Sequence, residues 1–338
     1  MDQRVRPVRG GGRVVELQSP RDVQIIERPA PFVGDAEVRV DVDAVGVCGT
    51  DLHAYRGRAS RYPLIPGHDL VGRVAAIGRN VPNDLMGQRV VVDPTLSCGA
   101  CTYCTNDRRG LCPQSRYLGM SCDGGMAEHL VVPSTAVHRV PDSVDDPTAT
   151  LLEPVVVTLR LLDRATTLLP TAAPVRIIGA GPLGIVMALV LDQLGYVPEL
   201  LEQDEHRRDR ARGMSLRCAR PSEPPEAPGS PCLVVDTSAA EPGTQLALEL
   251  ATPGSLVALI GRSPTDIPAS RILLDEFAVL GIRGGADRYP DALRWLDRAR
   301  MSLGCVVSHE FRVEEASTAF RQADDASQHV LRSTLVWR

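Results

Sequence analysis

Val175-Arg176-Ile177-Ile178-Gly179-Ala180-Gly181-Pro182-Leu183-Gly184 is the most fold-specific segment of the chain. Its first four residues, three of them β-branched, read as a short buried strand. A G-x-G-x-x-G turn follows, and an apolar segment of helical length runs from Pro182 to Leu194. Gly195 stands where such a helix stops. Val197 to Leu201 then supplies a second strand, completing strand, turn, helix, strand. In that context the glycines permit a tight turn, close approach of a pyrophosphate and close helix packing, with the phosphates at the helix N-terminus. Gly179, Gly181, Pro182, Leu183 and Gly184 are therefore candidate cofactor-binding residues. Glu202 ends the second strand, 23 positions after Gly179. A carboxylate there accepts hydrogen bonds from the adenosine ribose and repels a 2′-phosphate, which favours NAD over NADP. Arg207, with Arg208 beside it, leaves NADP as the alternative.

The pattern differs on either side of this unit. Cys232–Val235 and Leu256–Ile260 read as further parallel strands, and the proline-rich residues 221–231 as a loop. Helical Asp291–Arg300 and a mixed tail close the chain. Toward the N-terminus, Val38, Val40 and Val42 alternate with Arg39 and Asp41 at the period of a half-buried strand. Similar pieces occur at Val71–Ile77, Arg89–Val92, His129–Val132 and Val137–Val140, separated by glycine and proline. So many short strands together predict an antiparallel, barrel-like module. Residues 1–12 carry no core-forming pattern and read as a flexible arm. The expected division is 13–150 for the β-rich module, 151–287 for the α/β unit and 288–338 for a return to the first. No long internal repeat is visible.

The chain has 338 residues, a formal net charge of −5, 43% hydrophobic and 23% charged residues. These are ordinary values for a globular protein of about two domains. All 37 basic residues are arginine, and none is lysine. Codon bias accounts for that skew, but its consequences are chemical. An internal Schiff base, a phosphate-binding P-loop lysine and a tyrosine–lysine proton donor are all excluded. The arginines between Arg207 and Arg220 interleave with Glu202, Asp204, Glu205 and Asp209, so they read as a solvated face rather than a nucleic-acid footprint. The longest apolar run, Leu183 to Leu191, is too short to span a bilayer. With no apolar leader pattern, the expected location is cytoplasmic, where nine cysteines point to metal or packing rather than disulfides.

Four of those cysteines stand as Cys98-x2-Cys101-x2-Cys104-x7-Cys112. Thiolates at this spacing can close a tetrahedron around zinc, and a closed four-sulfur site leaves no position for substrate, so its role is structural. A second set is looser. Cys48 lies in Gly46-Val47-Cys48-Gly49-Thr50-Asp51-Leu52-His53, and His68 in Pro66-Gly67-His68-Asp69-Leu70-Val71-Gly72. Glu153 lies in Leu151-Leu152-Glu153-Pro154, at the junction of the two patterns. A catalytic zinc takes three protein ligands and keeps one position open. Cys48, His68 and Glu153 can supply them.

Together these motifs resemble the zinc-containing alcohol dehydrogenases of the medium-chain dehydrogenase/reductase family, from about Arg13 to the C-terminus. The Glu153-Pro154 pair is most similar to the polyol, sugar and threonine dehydrogenase branch. The resemblance implies an α/β plus β architecture: a GroES-like catalytic domain into which a Rossmann domain, a doubly wound parallel sheet, is inserted. It also implies two zinc ions, one catalytic and one structural, and a homo-oligomer, dimer or tetramer. Two departures stand out. The family's usual Glu after the ligand histidine is Asp69 here, so the third catalytic ligand is either Glu153 or Asp69. The stretch from Arg212 to Pro231 looks short for the family's strand and helix, which predicts a trimmed sheet edge.

The chemistry so implied is reversible oxidation of a secondary alcohol to a ketone. Zinc lowers the pKa of the bound hydroxyl, and the resulting alkoxide passes hydride to the nicotinamide. Thr50 relays the alcohol proton outward and His53 hands it to solvent, while Asp51 orients the zinc ligands. The substrate expected is a polyol, sugar, cyclitol or amino-cyclitol. The alternatives are a threonine- or butanediol-type dehydrogenase, a reductase of conjugated C=C bonds, and a non-catalytic cofactor-binding protein with only the structural zinc. Nucleic-acid and membrane partners are not expected.

Overall fold

The computed structural model describes residues 11–167, 169, 173–223, 229–261 and 263–337. The chain forms two compact units, Met1–Glu153 with Tyr289–Arg338, and Pro154–Arg288. The first opens with strands β1 (Gly11–Ser19), β2 (Asp22–Pro29) and β3 (Glu37–Val47), then helix α1 (Gly49–His53). Strands β4 (Asp69–Ile77), β5 (Arg89–Val92) and β6 (Thr95–Leu96) precede helix α2 (Thr102–Thr105). After these come β7 (Arg116–Tyr117), β8 (His129–Pro133), β9 (Val137–Arg139) and α3 (Asp146–Ala149). Helix α4 (Leu152–Ala165) leads into β10 (Val175–Ile178), α5 (Pro182–Gln193), β11 (Pro198–Leu201), α6 (Glu205–Gly213) and β12 (Arg217–Ala219). The second unit ends with β13 (Leu233–Asp236), α7 (Glu241–Leu250), β14 (Leu256–Leu259), α8 (Ala269–Asp275) and β15 (Ala278–Gly281). The return segment holds α9 (Tyr289–Ala299), β16 (His309–Arg312), α10 (Ala316–Asp324) and β17 (Ser333–Val336).

In the first unit the sheet order is β16-β17-β3-β4-β5-β9, with β8 also pairing β3. All of these pairs are antiparallel except β16–β17. The valines of β3 face a core that includes Val15, Leu17, Leu64, Met126, Phe320 and Leu335. Burying such side chains contributes roughly 1.5–3 kcal/mol each. Register shifts at Arg39/Val40 and Val42/Ala44 mark bulges that bend β3. Bending lets one strand pair along its length with three partners. The expected arm is corrected at its end: Gly11 and Gly12 are strand residues opposite Pro29 and Arg28. Residues 1–10 lie outside the described residues.

The second unit is a six-stranded sheet in the order β12-β11-β10-β13-β14-β15, every pair parallel. Renumbered within the unit this is 3-2-1-4-5-6, the doubly wound dinucleotide-binding order, with its switch point between β10 and β13. Both of those strands are buried throughout, as a sheet covered on two faces requires. The expected trimming of the sheet edge is not found. Three residues of β12 suffice to pair with Glu199, Leu200 and Leu201, so the edge strand is present. The economy falls in the connection to β13, which carries no helix among the described residues. Part of the proline-rich loop, 224–228, lies outside them. No helix among the described residues is long and apolar enough to cross a membrane.

Candidate active site

The pairing of β3 with β4 places Gly46 opposite Asp69. Cys48, just past the end of β3, therefore comes close to His68 and Asp69 at the start of β4. One buried carboxylate fixes the approach. Asp51 accepts hydrogen bonds from the backbone N–H of Cys48 through Oδ2 and of Gly67 through Oδ1, both 2.8 Å. It thereby ties the cysteine loop to the histidine loop. Gly67 adopts φ +91°, which a residue with a Cβ adopts only with strain.

The donor atoms of Cys48, His68 and Asp69 all lie within 4.8 Å of one another. His68 Nε2 is 3.8 Å from Asp69 Oδ1. Asp69 Oδ1 and His68 Nδ1 are buried without a hydrogen-bond partner, a costly state unless a ligand completes them. Burial opposes a charge on His68, yet Asp69 and Cys48 raise its pKa well above the usual imidazole range. Sulfur, nitrogen and oxygen donors converging in this way fit a zinc ion. Glu153, in the first turn of α4, is not part of that close group. It stands near enough that burial and the Asp69 carboxylate push its own carboxyl up to about 7. Of the two candidates for third ligand, Asp69 has the donor atom in reach and Glu153 lies beside it.

Thr50 Oγ1 is buried with no partner. His53 ends α1, and burial together with Arg58 and Arg56 lowers its pKa. Three residues that carry no sequence signal join this neighbourhood. Tyr117 packs its ring edge against His68, centroids 5.3 Å apart at 69°. Its phenol, like that of Tyr289, is pushed well up by burial, with Glu153, Asp69 and Asp93 adding to the effect in both. Arg332, from the far end of the chain, donates from Nη2 to Asp69 Oδ2 at 2.5 Å. No local motif surrounds these residues, because a lone tyrosine, in strand β7 or at the start of α9, or an arginine beside a strand is ordinary by itself.

Cys98, Cys101, Cys104 and Cys112 also converge, their sulfurs within 4.8 Å of one another. The Cys101–Cys104 and Cys98–Cys104 separations are 3.5 and 3.9 Å. Disulfide sulfurs sit at about 2.05 Å, whereas zinc–sulfur bonds of about 2.3 Å set tetrahedral edges near 3.8 Å. The backbone amides of Ala100 and Cys101 hold the Cys98 thiol down to about 6. The four-sulfur set fits a structural zinc.

In the second unit the glycine turn closes as its sequence requires. Gly179 has φ +98°, and a Cβ on Gly184 would overlap the Gly179 carbonyl oxygen. Gly181 caps α5 with open space where a side chain would stand, and Pro182 occupies the first turn. The unpredicted Thr237 buttresses this turn, donating from Oγ1 to the carbonyls of Ile178 (2.8 Å) and Gly179 (3.2 Å). Glu202 is buried and accepts from the N–H groups of Ala180 (2.8 Å) and Asp204 (3.0 Å). Arg208 is buried too, donating to the carbonyls of Glu202 and Gln203 at 3.0 and 2.6 Å. Arg207 remains half-exposed, 4.0 Å from the Glu202 carboxylate. For Gly184→Ala we expect the Gly179 carbonyl to shift and NAD affinity to fall about tenfold, roughly 1.4 kcal/mol. Isothermal titration with NAD+ checks this; unchanged affinity would mean that the turn does not hold the cofactor.

Comparison with known proteins agrees with this construction. Residues 34–142 match the alcohol dehydrogenase GroES-like domain. The chain is 28% identical over 335 residues to the starvation-sensing protein RspB of Escherichia coli K12, covering 95% of this chain and 98% of that protein. It is 28% identical over 313 residues to a sorbitol dehydrogenase of Halalkalibacterium halodurans, covering 87% and 90%. The crystal structure of the rspB alcohol dehydrogenase from E. coli CFT073, solved with NADH, superposes with a TM-score of 0.90 at 26% identity, covering 97% and 100%. Over nearly its whole length the chain is thus similar to proteins of the zinc-containing alcohol dehydrogenase family. Within that family it is similar to the branch of polyol and threonine dehydrogenases.

Proposed function

We propose that this chain is an NAD-linked dehydrogenase that reversibly oxidises a secondary alcohol of a polyol, sugar, cyclitol or amino-cyclitol to the ketone. The convergence of the Cys48, His68 and Asp69 donor atoms carries the reading. We assign these three to the catalytic metal, Glu153 to a place beside it, and the four-cysteine set to the structural one. Zinc bound at the first site would supply Lewis acidity toward the alcohol oxygen, with the nicotinamide as hydride acceptor. Asp51 keeps the two ligand loops in register through the amides of Cys48 and Gly67. In the proton relay the unpartnered Thr50 hydroxyl accepts the alcohol proton as it gives up its own outward, and His53, kept neutral by its lowered pKa, accepts the outgoing proton and releases one to solvent.

Residues 151–287 form the cofactor unit in this reading, and 13–150 with 288–338 the catalytic one. A cytoplasmic homo-oligomer, dimer or tetramer, belongs to the same proposal. The NAD preference rests on Glu202 and on Arg208, whose guanidinium is engaged by backbone carbonyls rather than free for a 2′-phosphate. For Glu202→Ala we expect KM for NAD+ to rise about tenfold and the preference over NADP+ to narrow, at roughly 1.4 kcal/mol per decade. The test of the whole reading is a panel of polyols, sugars, cyclitols, amino-cyclitols, threonine and butanediol with NAD+ and NADP+, following reduced cofactor. Turnover of a polyol-class alcohol with NAD+ is the expected result. Turnover of threonine or butanediol alone would move the substrate class, and none at all would overturn the proposal.

A further inference from the structure

Asp324 ends α10, where a carboxylate meets the negative end of the helix dipole. Two arginines from distant parts of the chain offset that cost. Arg56 donates from Nε to Asp324 Oδ1 (2.5 Å), and Arg21 Nη2 lies 3.0 Å from Oδ2. Arg56 belongs to the turn Ala54–Arg58, which continues α1 directly past His53. The same turn is held from its other side as well. The Arg21 N–H donates to the Tyr55 carbonyl (2.8 Å), and its guanidinium lies 5.6 Å from the Tyr55 ring centroid. That ring meets Phe320 of α10 at 5.5 Å, and the Tyr62 hydroxyl donates to the Ala54 carbonyl. His53 and Arg56 stand three positions apart in helical backbone, the spacing that sets side chains on one face. Of the other charged groups on these elements, Asp51 is taken up by the Cys48 and Gly67 amides, and Arg321 of α10 donates to Thr318 Oγ1. Arg58 and Arg56 are the cations that act on His53, adding to burial in favouring its neutral form.

We propose that Asp324 is a positioning residue for the proton exit: by gripping Arg56 it keeps that guanidinium beside His53. The inference rests on the relay reading above, in which His53 is the last protein base before solvent. A cation at this place favours the neutral imidazole, the form that accepts the outgoing proton. The Arg56 side chain is 41% exposed and the Asp324 side chain 9%. Released from that carboxylate, the guanidinium turns to open water, where solvent screens its charge from His53. The imidazole then holds its proton to higher pH, and less of it is free to accept one. Arg21 grips the same carboxylate without acting on His53. A merely structural clamp would therefore make loss of Arg21 and loss of Arg56 equivalent.

The experiment follows the imidazole resonances of zinc-loaded enzyme carrying ring-labelled histidine through a pH titration. The chain has seven histidines, and the signal absent from His53→Gln is that of His53. Its midpoint in wild type is expected below the ordinary value of about 6.5. In Arg56→Gln and Asp324→Asn the midpoint should rise by about 0.5 pH unit, the scale of one partly screened charge. In Asp324→Glu and Arg21→Gln it should stay within about 0.1 unit of wild type. Arg56→Gln alters only an exposed side chain, so the test survives if Asp324→Asn does not fold. An unmoved or lowered midpoint in Arg56→Gln or in folded Asp324→Asn overturns the proposal, and so does an equal rise in Arg21→Gln. Alcohol oxidation by His53→Gln at the wild-type rate overturns the relay reading instead, whatever the midpoints show, which separates the two failures.

Discussion

Cys48→Ala is expected to lower alcohol oxidation by at least ~10³-fold while leaving NAD+ affinity unchanged. The loss corresponds to about 4 kcal/mol of transition-state stabilisation, the scale on which a metal ion polarises an alcohol oxygen. The cysteine is the softest donor in the set that converges with His68 and Asp69, so its removal should empty the site rather than rearrange it. The glycine turn, Thr237 and Glu202 belong to the other unit and do not depend on it. Zinc content should drop by one per chain, and titration with NAD+ should be superimposable on wild type. Turnover at the wild-type rate would remove the basis for a metal-polarised alcohol.

The second large effect is on stability. Cys112 is the buried member of the four-cysteine set, so Cys112→Ser leaves a poor zinc donor where solvent cannot compensate. Binding of structural zinc contributes about 10–16 kcal/mol in small zinc-folded peptides, although here only the lobe from Cys98 to Cys112 depends on it. We expect loss of the lobe zinc and a fall in Tm on the order of 10 °C, a few kcal/mol for a unit of this size. Differential scanning calorimetry with parallel zinc analysis measures both. An unshifted Tm with full zinc would mean that another group holds the metal or that none is held.

Much of this was readable from the residues themselves, for identifiable reasons. The glycine turn is local: Gly179 needs positive φ, Gly184 needs the absence of a Cβ, and both requirements appear in ten consecutive letters. The four-cysteine lobe is nearly as local, spanning Cys98 to Cys112. The Cys48 and His68 loops could be picked out, but their meeting depends on the β3–β4 register, which no short motif encodes. What stayed hidden is long-range. Arg332 lies 263 positions from the carboxylate it grips, and Tyr117 reaches His68 only through the β6–β7 pairing that carries the lobe. The shortened stretch after Arg212 misled in the other direction, because a three-residue strand is enough to complete a parallel edge. The absence of lysine excluded amine chemistry, and it is consistent with a site in which an arginine, Arg332, is the side chain that pairs with Asp69 Oδ2.

Whether the chain holds a metal at Cys48 is measured by an anomalous difference map collected at the zinc edge from crystals of the purified protein. Two peaks per chain are expected. One lies within about 2.0–2.3 Å of Cys48 Sγ, a His68 ring nitrogen and Asp69 Oδ1, and the other at about 2.3 Å from the four sulfurs of Cys98, Cys101, Cys104 and Cys112. A single peak in the cysteine lobe, with none beside Cys48, would contradict that expectation.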